Sequence, residues 1–536
     1  MTFGLIFTSA SLPDSEDAAM QSITAERLAA NVRFLANDLL EGRGTGARGY
    51  DIAALYLATQ MRHLGLTPAG EQGTYLQSVP FQKANLVPDE SFLQIVRDTN
   101  ASFLKLEEDY LLDEDYARPE TAVNAGVVFA GFGVTAPEFH YDDFANIDAK
   151  GKIAVILSGS PDAFPLNQHA YYASSAVKEA NLAAHGVVGY IVFLNPVDEK
   201  RRNWERSVRQ SKLSGFRWLQ PDGKPSRIFP QLKGHAFLSH AGAEKLFQGS
   251  HPDLQEIFQM WSDAKLRSFT LPVEVQMKTV TRHEKVQSPN VVGILQGSDP
   301  SLKNQYIVYS AHLDHLGISD PVNGDRINNG AYDNATGAAA LIEIARAFQQ
   351  LSRAQRRSII FLGVTGEEKG LQGSEYFANY PTVPRGSIVA DLNVDMFLML
   401  YPAADIVGIG AEHSTLGPMA AEAIRKVGLK MSPDPLKEEV IFVRSDQYSF
   451  IKKGIPSIMF MTGFHSIDPS IDGARATLDW LRTIYHSPQD DVSQKIHWPT
   501  GVKLVQAAFL TGLAAANADQ PPAWNDGDFF GVKFAH

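Results

Sequence analysis

The chain has 536 residues, of which 44% are hydrophobic and 20% charged. That is ordinary globular composition, and it excludes a disordered or fibrous protein. There is no cysteine, which excludes disulfide frameworks, thiol nucleophiles and thiolate metal sites, so a transition metal would have to be held by His, Asp or Glu. A formal charge of -12 does not favour nucleic acid as a partner, because that binding depends on Lys and Arg at phosphates.

In chain order, Met1 to Leu12 is short and apolar but lacks the basic start of an export signal. It reads as the stump of such a signal, which points to a secreted or periplasmic location; a cytoplasmic one is the alternative. Residues 1–20 are taken as a flexible or signal-derived N-terminus. No run reaches the roughly 18 apolar residues of a membrane span, so no transmembrane segment is expected.

From 21 to 121 the pattern opens helically. Thr24 precedes a run in which Leu28, Val32, Leu35 and Leu39 recur at helical spacing. A Gly-rich turn, Gly42–Arg43–Gly44–Thr45–Gly46, leads into a second helix carrying Ile52, Leu55, Tyr56 and Met61. A helix rather than a strand precedes these glycines, so they are a turn and not a dinucleotide fingerprint.

From 122 to 275, short strands alternate with a few helices. Val127–Ala130, Ile153–Leu157 and Gly189–Phe193 read as strands and Ala176–His185 as a helix. The densest basic run, Lys200, Arg201, Arg202, Arg206, Arg209 and Lys212, reads as a solvated helix face. No dense His/Asp/Glu cluster falls here, so the stretch is expected to be an accessory domain.

From 276 to 520 the chain alternates strand and helix in the βαβ manner, and 521–536 is left as a tail. Strands are expected at Tyr306–Ser310, Ser358–Leu362, Ile388–Leu392 and Ile406–Ile409, and helices at Thr336–Gln350, Gly373–Tyr380 and Pro418–Val427. The strands are near-continuous apolar runs, as expected when both faces of a sheet are covered. The fold class is therefore α/β, with a mixed, largely parallel central sheet flanked by helices and an inserted β-rich domain.

Acidic and imidazole residues recur just beyond these strands. His312 and Asp314 follow the first, Glu367 and Glu368 the second, and Asp395 the third. Asp333 stands before a helix and His486 after a long loop. The carboxyl ends of strands in an open α/β sheet form its binding crevice, so these positions can converge. Taken singly, each has an ordinary structural explanation. Buried together, two adjacent carboxylates such as Glu367 and Glu368 need a cation to stay ionised.

The ordered motifs Ala311–His312–Leu313–Asp314, Tyr332–Asp333–Asn334–Ala335–Thr336–Gly337, Gly366–Glu367–Glu368, Asn393–Val394–Asp395–Met396 and Tyr485–His486–Ser487–Pro488 resemble the co-catalytic zinc aminopeptidases of peptidase family M28. The resemblance spans the region from 276 to 520, and the Gly42 turn with its helices resembles the N-terminal part of the same catalytic domain. Phe129–Ala130–Gly131–Phe132–Gly133–Val134–Thr135–Ala136–Pro137 resembles the protease-associated (PA) insert of some members.

The resemblance implies two Zn²⁺ per chain and a peptide substrate. Asp333 would bridge the ions, His312 and Asp395 would complete one, and Glu368 and His486 the other. Glu367 would be the general base for a metal-bridged hydroxide, and Asp314 would support His312. A cis Asp333–Asn334 peptide is also implied. His315 has no assigned role beyond hydrogen bonding. Arg444, Asp446, Phe464, His465 and Tyr485 are candidate substrate-binding residues, with a helix cap by Ser445 or Asp446 as the plainer reading of that segment. The expected activity is a metallo-aminopeptidase. A carboxypeptidase using Arg444 as a carboxylate clamp, a one-zinc glutaminyl-cyclase-like enzyme and a non-catalytic receptor-like protein are the alternatives.

Overall fold

A computed structural model describes residues 15–535; the Met1–Leu12 run lies outside them. Ser358–Val364 and Asp405–Ile409 bury every residue, and Tyr306–His312 all but its first. The cause is a sheet covered on both sides. Side chains alternate faces along a strand, so Ile307, Tyr309 and Ala311 enter one core with helices Thr336–Gln349 and Trp498–Asn517. Val308, Ile360 and Leu362 enter another with Phe377 and Phe450.

Tyr306–His312 pairs in parallel with both Ser358–Val364 and Ile388–Val394, and the latter in parallel with Ser457–Thr462. Asp405–Ile409 runs antiparallel to Ser457–Thr462. The sheet is thus mixed and largely parallel at its centre, as expected. The carboxyl ends of the three strands carrying His312, Glu367 and Asp395 lie at one edge, with Tyr306–His312 between the other two.

A second core runs from Leu93 to Met277 and is built on parallel strands Ile153–Leu157, Gly189–Phe193 and His235–Leu238. Strand Phe269–Leu295, 27 residues long, joins the two bodies. Its first half pairs antiparallel with Glu120–Phe129, and its second half with Leu76–Leu86 and then Ser358–Val364. Residue 275 therefore lies inside an unbroken strand.

The N-terminal helices are Ala25–Leu35 and Arg48–His63, and Thr24 accepts from the Arg27 N–H as N-cap. Two expected core positions differ. Leu39 falls in the 3-10 turn Asp38–Arg43 and is 76% exposed, while Leu55 is 66% exposed because the helix buries Ala53, Ala54, Leu57 and Met61 instead. Gly42 has φ +67, and a Cβ there would lie 2.5 Å from the Asn328 carbonyl oxygen, so the turn needs glycine to dock. Among the described residues no helix is long and apolar enough to cross a membrane.

Candidate metal centre

The strand ends and the helix start before Thr336 bring the acidic and imidazole residues together. Asp333 is buried, and its two carboxylate oxygens face different histidines. Oδ1 lies 3.1 Å from His312 Nε2 and Oδ2 lies 3.1 Å from His486 Nε2. His312 Nε2 also lies 3.1 Å from Asp395 Oδ1, and His486 Nε2 lies 3.2 Å from Glu368 Oε2. His315 Nδ1 sits 2.7 Å from Glu368 Oε1 and 3.9 Å from Asp333 Oδ2. The donor atoms of His312, Asp333 and Asp395 lie within 4.8 Å of one another, as do those of His315, Asp333 and Glu368. The Asp333–Asn334 peptide is cis.

The supporting contacts hold this arrangement. His312 Nδ1 lies 3.0 Å from the backbone carbonyl of Asp314, while the Asp314 carboxylate is 4.0 Å away. That carboxylate instead accepts from the Thr45 hydroxyl and from the Glu367 backbone N–H. Asp314 therefore ties the Gly42–Gly46 turn and the Glu367 loop to the strand end. Asp395 Oδ2 accepts from Ser445 at 2.6 Å, and Asn393 donates to both Ser445 and Gln447. The helix-cap reading of this segment is corrected: helix Gln447–Ile451 has no side-chain cap, and Ser445 turns toward the centre.

Two buried residues that sequence reasoning passed over complete the frame. Asp490 accepts from the Tyr332 and Asp333 N–H groups, both at 3.0 Å, and so clamps the loop carrying Asp333. Arg43 is 1% exposed and donates to the carbonyls of Leu35, Leu313, Asn329 and Gly330. Burial lowers its pKa to about 10, while Asp490, Asp333, Asp314 and Glu368 favour its charge. An Asp four residues after His486 was a readable signal; an Arg in a Gly-rich turn was not.

The electrostatics are those of a cation site. Burial alone disfavours every charge here. Burial, helped by Asp395, Asp446 and Glu368, pushes Glu367 well above the ordinary carboxylate range. For Glu368, burial is outweighed by His486 and His315, which hold it down to about 2. Burial likewise opposes charge on Asp333, but hydrogen bonds from His312 and His486 hold it well below its usual value. On the imidazoles, burial is outweighed by Asp395 and Glu367 at His312, which rises, and by Glu368 and Asp333 at His486, which rises to about 9. The cluster attracts positive charge, and divalent cations meet that demand at the same donor atoms. Carboxylates and imidazoles without thiolate fit zinc.

The five candidate substrate residues are scattered. Tyr485 stacks on His486 with ring centroids 3.7 Å apart. Phe464 packs into the apolar cluster around Phe442. His465 is 75% exposed and tied to Asp405, and Arg444 is bound to Glu439 at 2.8 Å. Asp446 is fully buried, and neither of its carboxylate oxygens has a hydrogen-bond partner. Burial, with Asp395 and Asp314 adding, raises its pKa to about 7.

The model of peptidase family M28 matches residues 290–510, the segment that supplies the clustered His, Asp and Glu donors. The aminopeptidase NAALADL1 of Rattus norvegicus is 25% identical over 447 residues, covering 71% of this chain and 54% of the relative. A probable leucine aminopeptidase 2 of Aspergillus oryzae is 26% identical over 270 residues, covering 47% of this chain and 50% of the relative. The chain thus spans about half the length of the curated relatives it matches. An aminopeptidase from Aneurinibacillus sp. strain AM-1 shares the fold, with a TM-score of 0.55, 19% identity, and coverage of 94% of this chain and 98% of that one.

Proposed function

We propose that the protein is a zinc-dependent aminopeptidase with two Zn²⁺ per chain. The observation that carries this is the division of Asp333: one oxygen faces His312 beside Asp395, and the other faces His486 beside Glu368. A carboxylate so placed can serve two ions at once. His312 and Asp395 would complete the first set, and Glu368 and His486 the second. His486 is preferred to His315 because its Nε2 is nearly equidistant from both carboxylates, whereas His315 Nδ1 lies 2.7 Å from Glu368 but 3.9 Å from Asp333. When bound, zinc supplies Lewis-acid polarisation of a carbonyl and acidifies water.

The chain's own residues do the rest. Asp333, Glu368 and Asp395 offset three of the four metal charges. Glu367, its backbone fixed by Asp314, accepts a proton from the attacking water and delivers it to the leaving amine. Its environment pushes its pKa up, which suits a group that must hold that proton. Tyr485, stacked on His486, is the apolar candidate beside the reacting groups. The wealth of buried acids suits a substrate's free ammonium. Arg444 is already engaged by Glu439, which speaks against its serving as a carboxylate clamp. We also take the second core to be a PA-like insert, and a secreted or periplasmic location fits such an enzyme.

The test is turnover of a panel of aminoacyl-nitroanilides by the full chain, with zinc stoichiometry measured on the same sample. Glu367→Gln should bind zinc as the parent does and lose at least about 100-fold in kcat, the low end for a general base. Parent-like turnover by that variant would remove Glu367 from its role.

A further inference from the structure

The basic run is split over two helices: Lys200 and Arg201 end Pro196–Arg201, while Arg206 and Arg209 lie in Trp204–Ser211, with Lys212 just beyond it. Lys200, Arg201, Arg202 and Lys212 are exposed, as expected, but Arg206 is only partly so. Arg206 donates to the carbonyls of Leu481 and Arg482, at the end of helix Gly473–Thr483. These are the carbonyls a helix leaves unpaired at its C-terminus, where a cation is favourable. The Arg206 guanidinium also lies 5.7 Å from the Tyr485 ring centroid, and Lys212 just beyond the helix pairs with Glu107 and with Asp320. The helix is therefore pinned onto the segment that ends in His486. One turn after Arg206, the Gln210 side-chain amide sits 2.6 Å from His486 Nδ1.

That contact faces the ring nitrogen opposite the carboxylates. In the structure the amide nitrogen meets Nδ1. With an N–H donating there, Nδ1 must accept, and Nε2 carries the proton toward Asp333 and Glu368. Turning the amide over places Oε1 at the same point. Nδ1 then carries the proton and donates, and the Nε2 lone pair is free for a cation. The terminal torsion of Gln is broad and roughly two-fold, so both poses are open at the same backbone position. A metal-bound imidazole ordinarily has its other N–H held by an acceptor, which fixes ring and tautomer. His486 has a backbone φ of +56, so its ring is aimed by the segment that Arg206 pins.

We propose that Gln210 is a positioning residue of the metal centre: through the amide oxygen it holds His486 in the tautomer that binds zinc. The inserted unit thereby contributes to the retention of the ion at Glu368 and His486. This rests on the two-zinc reading above.

The experiment uses the full chain without substrate. Zinc is titrated against a chromogenic chelator in the parent, in Gln210→Ala and in Gln210→Glu, and each stripped protein is melted. One of the two ions should bind Gln210→Ala about 10–100-fold more weakly, as for losses of such partners elsewhere, while the other is unchanged. Gln210→Glu, which can only accept, should hold both ions at least as tightly as the parent. The stripped proteins should melt together. Parent-like zinc affinity in Gln210→Ala overturns the proposal. So does a Gln210→Glu that weakens zinc as much as the alanine variant, or a shared fall in melting temperature in the stripped proteins, because the side chain then acts only in docking. A parent that binds one ion or none defeats the two-zinc reading instead, before any variant is compared.

Discussion

Asp490→Asn probes the frame behind the metal ligands. The carboxylate is fully buried and accepts three hydrogen bonds at 3.0 Å, from the Tyr332 and Asp333 N–H groups and from Gln494. Asn keeps one oxygen. If that oxygen stays with Tyr332 and Gln494, the new NH₂ points at the Asp333 N–H, and two donors oppose each other. A charge-assisted bond of about 1.5–3 kcal/mol is lost, and an unsatisfied buried donor costs about 1–3 kcal/mol more. The remaining bonds fall to neutral strength. The loss is about 3–5 kcal/mol, a large part of the roughly 5–15 kcal/mol that holds a domain together. It falls on the loop that aims Asp333. Urea unfolding of stripped and zinc-loaded protein measures the first effect, and chelator competition measures the second. Zinc affinity should drop about 10–100-fold, with a lower urea midpoint. Asp491→Asn removes the same charge next door, where the carboxylate serves only the Ser493 N–H in its own turn, and controls for charge alone. If Asp490→Asn matches Asp491→Asn in both assays, the clamp is not what holds Asp333.

Other consequences follow from the same geometry. His486→Ala should leave one tightly bound zinc and His315→Ala two, the second more weakly held; the reverse stoichiometry would exchange their roles. Stripping zinc from the parent should lower its urea midpoint, since saturation at 100 times Kd is worth about 2.7 kcal/mol, and an unchanged midpoint would show that the ions do not bind the native state preferentially. In the second unit, burial raises Asp143 from its usual value to about 6 against the hydrogen bonds it accepts. An acid with a raised folded pKa binds its proton more tightly folded than unfolded, so its contribution is fully present below about pH 4 and is lost as pH rises through about 6. The difference is about 3 kcal/mol. Asp143→Asn should flatten that slope relative to the parent, and parallel pH profiles for the two proteins would show that Asp143 does not titrate in this way.

The parallel strands were legible because a strand covered on both faces must be almost wholly apolar, and Ser358–Val364 is so after its first residue. The donors were legible because a His, two Glu and an Asp each stand just beyond such a strand, and chain order supplied the rest. Leu39 and Leu55 misled because helical spacing says nothing of where a helix stops or which arc faces inward. Arg43 could not be read: its burial depends on carbonyls from Leu35, Leu313, Asn329 and Gly330, which only the folded turn brings together. Gln210 was hidden for a related reason. Its run looks solvated until the carbonyls of Leu481 and Arg482, some 275 positions away in sequence, receive Arg206.

The second unit is held against the central sheet at more than its two chain crossings. The unbroken strand Phe269–Leu295 is one tie. Strand Gly215–Trp218 is another, pairing with Leu76–Leu86, while Trp218 donates to Gln372 and Glu375 from its backbone and indole N–H groups. Helix Trp204–Ser211 is the third, at the segment that ends in His486, and helix Leu166–Ala173 is a fourth, where Tyr171 packs on Phe529 and Ala170 joins the core of Phe442. A body attached along one line can swing about it, but one attached at several separated places cannot swing without breaking at least one of them. A swing of the second unit about strand Phe269–Leu295 would therefore have to break the Trp218 contacts near Glu367 and Glu368, the Arg206 and Gln210 contacts at the His486 segment, or the Tyr171 contact with Phe529.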